Sequence, residues 1–156
     1  MTRKIDVLDK KLIMELSKDS RQSYRTLARK MRVSIATAIS RVKRLEQAGI
    51  LKGYTARVDA EKLGYDLTAV IEISASKGKL VEVEKQIALM DKVTAVYDIT
   101  GLTDAIIIAR FENRKALNTF VKSLLGLEFV EHTNTRIVLN TVKEDLGLPR
   151  SFLSGQ

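Results

Sequence analysis

Two short helical segments separated by only two residues constrain this chain more than any other feature. Ser23 stands where the N-cap of a helix reaching to about Met31 belongs, with Leu27, Ala28 and Met31 on its apolar side. Only Arg32 and Val33 follow before Ser34, a second good N-cap, opens a helix that runs to about Ala48 and stops at Gly49. At about 100° per residue, Ala38, Val42 and Leu45 share one side of that second helix. Ala36, Thr37, Ser40, Lys43 and Arg44 share the other. Two short helices joined by a tight turn, the second with a polar and basic outer face, describe a helix-turn-helix. An earlier helix capped by Asp6 adds Ile5, Leu8, Leu12, Ile13 and Leu16 on one face, which makes a three-helix head.

Charge divides the chain in the same place. Residues 1–53 hold 14 Lys/Arg against 5 Asp/Glu, while residues 54–156 hold 13 against 14, so the net +8 sits entirely on the first third. A basic head on a neutral body predicts two modules with different partners, the head's being a polyanion.

Beyond Gly49 the periodicity changes. Ile50–Val58 reads as a strand or wing and Asp59–Tyr65 as a short linker. Thr68–Ala75 alternates, with Ala69, Ile71, Ile73 and Ala75 on one face. Leu80, Val83, Ile87 and Met90 mark a helix over roughly 79–90. Val93–Ile99 is the next strand, Gly101 to Asp104 a turn, and Ala105–Phe111 an almost unbroken apolar run, as in a strand covered on both faces. Leu117, Phe120, Val121 and Leu124 mark another helix, and Asn134–Val142 a last alternating strand. The order β-α-β-β-α-β is that of a ferredoxin-like sandwich. The fold class expected is therefore α+β: a helix-turn-helix domain over 1–53, a wing or linker strand over 54–66, a ferredoxin-like domain over 67–148, and a tail over 149–156.

Several chemistries find no residues to carry them. Without cysteine there is no disulfide, thiolate metal site or Cys nucleophile. The single histidine, His132, has no carboxylate pair beside it at helical or turn spacing and reads as a surface residue. No G-x-S-x-G, G-x-G-x-x-G or P-loop occurs. No cofactor and no metal are expected. No apolar run approaches the roughly 20 residues that span a bilayer, and the N-terminus lacks a signal-peptide core, so a cytoplasmic protein without a membrane partner is the expectation.

Taken together, the segments IDVLDKKLIMELSKDSRQS (5–23), LARKMRVS (27–34), RVKRLEQAGIL (41–51), KGYTARVDAEKLGY (52–65), VYDITGLTD (96–104) and HTNTRIVL (132–139) resemble the leucine-responsive/asparagine regulator (Lrp/AsnC) family. The resemblance covers nearly the whole chain. It implies a winged DNA-binding head and a ferredoxin-like domain that dimerises and often binds an amino acid between subunits. Two features depart from the family pattern. Arg32 holds a turn position usually taken by glycine, where a non-glycine residue costs on the order of 1 kcal/mol. The effector turn, often Gly-Asp-Tyr-Asp, is Gly101-Leu102-Thr103-Asp104 here.

Site residues follow from both readings. Ser34 heads the reading helix and can take a phosphate at the helix N-terminus. Ala36 suits a thymine methyl, and Thr37 and Ser40 can reach base edges. Arg41, Lys43 and Arg44 suit phosphates, with guanine an alternative for Arg44. A solvated basic helix face is the bland alternative for all of them. In the tail, the resemblance implies an effector site at Gly101, Leu102, Thr103 and Asp104, with Asp104 facing an α-ammonium and Thr133 and Thr135 nearby. Tyr97 reads as an interface or core residue. The function expected is sequence-specific regulation of transcription on a pseudo-palindromic operator, by a dimer or by tetramers or octamers of this chain, adjusted by an amino-acid-like effector. An amino-acid metabolic enzyme with a regulatory ferredoxin-like domain and a chromatin-like architectural protein are the alternatives.

Overall fold

The computed structural model describes residues 5–145 and 147–153. It contains two compact units. One runs up to Arg57 and takes in the segment from Glu144 onward; the other spans Val58–Lys143.

In the head, α1 (Val7–Lys18), α2 (Tyr24–Met31) and α3 (Ile35–Gln47) begin at the polar caps the sequence offers. The side chains of Asp6, Ser23 and Ser34 accept from the backbone N–H of Asp9, Thr26 and Thr37 respectively. Such caps satisfy donors that the helix itself leaves open, each worth about 1 kcal/mol. Gly49 ends α3 at φ 67°, and the N–H of Ile50 returns to the Leu45 carbonyl at 2.9 Å, closing the helix end. Leu12, Ile13, Leu16, Leu27, Met31, Val42 and Leu45 form the head's core, with Leu51 and Phe152 packed against it. Phe152 lies in a short helix, α6 (Arg150–Leu153). The chain therefore returns to the head after leaving it, and Arg57 Nη2 donates to the Glu144 carbonyl at 3.0 Å across the same join.

The expected strand over Ile50–Val58 does not form within the single chain. Lys52–Asp59 is exposed throughout, and Glu61–Leu63 makes one 3-10 turn before the second unit's sheet begins. A strand exists only through the ladder to a neighbour, and none of the described residues pairs with this segment.

The second unit has β1 (Leu67–Ala75), α4 (Leu80–Ile87), β2 (Val93–Asp98), β3 (Ala105–Phe111), α5 (Arg114–Leu125) and β4 (Val130–Ile137). The sheet order is β2-β3-β1-β4, antiparallel at every junction, as a ferredoxin-like sandwich requires. Period-two alternation sends Ala69, Ile71 and Ile73 of β1 and Ala105, Ile107, Ala109 and Phe111 of β3 into one core with Val83 and Ile87 of α4 and Leu117, Phe120 and Leu124 of α5. The last strand lies earlier than expected, over Val130–Ile137. Its register opposite β1 is anchored by the pairs Ile71–Thr135 and Ile73–Thr133. The apolar run of β3 is covered on one face only: Ile106, Ile108 and Arg110 alternate with the fully buried residues and stay half-exposed.

Candidate nucleic-acid interface

The helix-turn-helix closes on Arg32, which takes the left-handed conformation at φ 55°, ψ 48°. The turn is thus the ordinary one, held in spite of the side chain. The Arg32 N–H donates to the Arg29 carbonyl at 3.2 Å and that of Val33 to the Ala28 carbonyl at 3.0 Å. These bonds set the angle at which α3 leaves α2. With Ala38, Val42 and Leu45 buried at 2% exposure or less, the opposite side of α3 must face solvent. Ser34, Ala36, Ser40 and Lys43 are exposed on it, and Thr37, Arg41 and Arg44 are half-exposed. Ser34 Oγ lies 2.8 Å from Thr37 Oγ1 and accepts from the Thr37 N–H, so both hydroxyls sit at the helix N-terminus.

Arg41 and Arg44 are not simple solvent-facing cations. Arg41 Nη1 donates to Asp6 Oδ2 and to Asp9 Oδ1, both at 2.7 Å, and Arg44 Nη2 pairs with Asp9 Oδ2. Asp9 is 1% exposed. The Arg41 guanidinium pulls the Asp6 carboxyl down to about 2, and the two carboxylates in turn raise Arg41. The sequence reading assigned Asp6 a capping role and gave Asp9 none. A signal was present: Asp9 occupies the inward stripe of α1 that continues through Leu12, Ile13 and Leu16, and a carboxylate buried there requires a cationic partner. Arg41 and Arg44, one turn apart, provide two. Asp6, Ala36, Thr37, Ser40, Arg41 and Arg44 line a cleft of about 400 Å³ on this side of the head.

In the second unit, Gly101 has φ 137°, a conformation that favours glycine, and Leu102 behind it is fully exposed. Thr103 and Asp104 are half-buried. Asp104 has structural work of its own: its Oδ2 accepts from the Ala75 N–H at 2.8 Å, and its N–H donates to the Ile73 carbonyl at 2.9 Å. Ile73 pairs on its other side with Thr133, so the turn and Thr133 flank the same end of β1. Thr135 lies one pleat repeat further along β4 and, like Thr133, is half-buried. His132 and Tyr97 are exposed. Tyr97 pairs with Ile106 at the open face and is no core residue. Among the described residues, no group of three or more His, Asp or Glu is arranged to hold a metal ion, and no helix is long and apolar enough to cross a membrane.

Comparison with known proteins agrees with both units. Residues 5–46 match the AsnC-type helix-turn-helix domain, and residues 68–148 match the Lrp/AsnC ligand binding domain. An uncharacterised HTH-type transcriptional regulator of Pyrococcus abyssi is 47% identical over 92% of this chain and 98% of its own length. The HTH-type transcriptional regulator FL11 of Pyrococcus furiosus is 36% identical over 93% of this chain and 96% of its own. Among solved structures, the Neisseria meningitidis transcriptional regulator NMB0573 in complex with L-Met superposes with a TM-score of 0.86 at 27% identity, covering 96% of this chain and 99% of that one. The chain belongs to the Lrp/AsnC family of helix-turn-helix transcriptional regulators.

Proposed function

We propose that this regulator binds a pseudo-palindromic operator as a dimer or an assembly of dimers, with α3 of each head in the major groove of one half-site. The observation that carries the reading is the outer face of α3, where Ser34, Ala36, Ser40 and Lys43 stand exposed beside Thr37 on the most basic part of the chain. In this reading Ser34 and Lys43 anchor phosphates, while Ala36, Thr37 and Ser40 meet base edges. One short helix covers too few base pairs for useful specificity, so two heads are needed, on half-sites one helical turn or a multiple apart. The half-exposed Val70, Ile106 and Ile108 on the open face of the sheet support a contact between copies. The L-Met complex of the Neisseria relative supports an amino-acid effector held near Gly101–Asp104, Thr133 and Thr135. The protein works beside its DNA in the cytoplasm, as a binding protein without catalysis or cofactor.

Selection of preferred sites from random duplexes, repeated with two variants, tests this. Ser40→Ala is expected to change preference at one position of each half-site, by about 1–3 kcal/mol. Lys43→Ala is expected to weaken all duplexes alike and to flatten the salt dependence by about one phosphate contact. Recovery of no preferred sequence by the wild type would replace operator recognition with architectural binding.

A further inference from the structure

The cleft beside α3 already holds an anion, and that anion belongs to the protein. Arg41 Nη1 lies 2.9 and 2.7 Å from the two carboxylate oxygens of Asp6, a charge-assisted contact made through one nitrogen. The two carboxylates on Arg41 are not equivalent. Asp9 is 1% exposed, and its two oxygens are taken by Arg41 and Arg44, so it cannot leave. The Asp6 side chain is 48% exposed and opens onto the cleft that Ala36, Thr37 and Ser40 also line. Its second task, accepting from the Asp9 N–H at 2.8 Å, is one that any short polar cap performs. Within this cluster two guanidinium charges meet two carboxylates, so the part of the reading face nearest α1 is neutral while the rest of the head is basic.

We propose that this cleft is a phosphate-binding site of the DNA interface with Arg41 as its ligand, and that Asp6 occupies it in the free protein as an internal competitor. The inference rests on α3 being the DNA-reading helix. On binding, a backbone phosphate takes the place of the Asp6 carboxylate on Arg41, while Asp9 keeps both guanidinium groups in position. Asp6 thereby weakens binding to all duplexes alike, setting a higher threshold for non-specific occupancy without altering which bases are read.

Asparagine and serine are N-cap residues as good as aspartate but carry no charge. The test is therefore Asp6→Asn and Asp6→Ser in the full-length chain, titrated with a mixed-sequence duplex over a series of salt concentrations. Both variants are expected to bind about three- to tenfold more tightly at low salt. The salt dependence should steepen by about 0.9, one further phosphate neutralised. In an Arg41→Gln background the gain should vanish. Unchanged or weaker binding by both folded variants, or a gain that survives Arg41→Gln, would overturn the proposal. A wild type that binds no duplex at any salt would instead overturn the DNA-binding reading beneath it.

Discussion

Asp6 shows how one side chain performs two local tasks at once. It caps α1 and grips Arg41, and the hydrogen bond from that guanidinium, followed by the one from the Asp9 N–H, is the main reason its carboxyl lies near 2. A carboxylate depressed in the folded chain adds stability that is complete above its unfolded value, about 3.9, and is lost as pH falls through about 2. Because the side chain is half exposed, solvent screens the pair and the contribution is small. Wild type and Asp6→Asn, compared by denaturant unfolding, should differ above pH 4 and converge between about pH 4 and 2. A gap that stays constant over that range would remove the Asp6–Arg41 pair from the stability of the head. The same depression keeps Asp6 charged throughout the physiological range, so the cleft is no pH switch. Arg32 illustrates the opposite economy, a residue held in a left-handed turn at a conformational penalty because the bonds to Ala28 and Arg29 fix the angle between α2 and α3.

At the level of elements, β3 separates the core from the open sheet face one residue at a time. Ile107 is fully buried among the side chains of α4, α5 and β1, whereas Ile108 faces away and pairs with Val70 and Ala95. A carboxylate at position 107 would be buried without a partner, at several kcal/mol, enough to unfold the unit. Ile107→Asp should therefore lose cooperative melting. Ile108→Asp should melt cooperatively yet run as a monomer in light scattering. An Ile108→Asp protein that keeps the wild-type assembly would place the subunit contact elsewhere. The Asp59–Asp66 segment shows a complementary limit: a 3-10 turn at Glu61–Leu63 and exposed flanks leave the boundary between the units without a strand of its own.

Across the whole molecule, charge is segregated between the two units. The head carries the cationic surplus, and the second unit is nearly neutral, with Val70, Ile106 and Ile108 half-exposed on its open sheet face. In the proposed reading, DNA binding and ligand sensing draw on different physics in the two units. An effector that binds only the folded chain raises its stability by RT ln(1 + [L]/Kd), so a melting screen of the common amino acids should reveal a ligand. Asp104 needs a careful substitution there, since one of its oxygens holds the Ala75 N–H. Asp104→Asn retains that acceptor and removes the charge available to an α-ammonium. It should leave the melting temperature without ligand close to wild type and abolish the shift. A shift that survives intact would move the ligand away from the Gly101–Asp104 turn.

The helix-turn-helix was legible because its determinants are local. Ser23 and Ser34 cap, Gly49 stops, and two residues of turn leave few ways to join α2 to α3. The ferredoxin-like order was legible for the same reason, since alternation along β1 and β3 and the helical stripes of α4 and α5 are written in consecutive residues. What the sequence by itself could not determine were the relations that depend on distant partners. Asp9 and Arg44 are 35 positions apart, and Phe152 joins a core laid down by the first helices. Ile50–Val58 has the composition of a strand, but hydrogen bonding to a second strand decides whether one forms, and among the described residues no strand pairs with it. The end of β4 at Ile137 was likewise fixed by register against β1, not by the alternation that continues past it. Caps and periodicity act over a turn or a pleat. Ion pairs, ladders and shared cores act across space, and only the folded chain brings their members together.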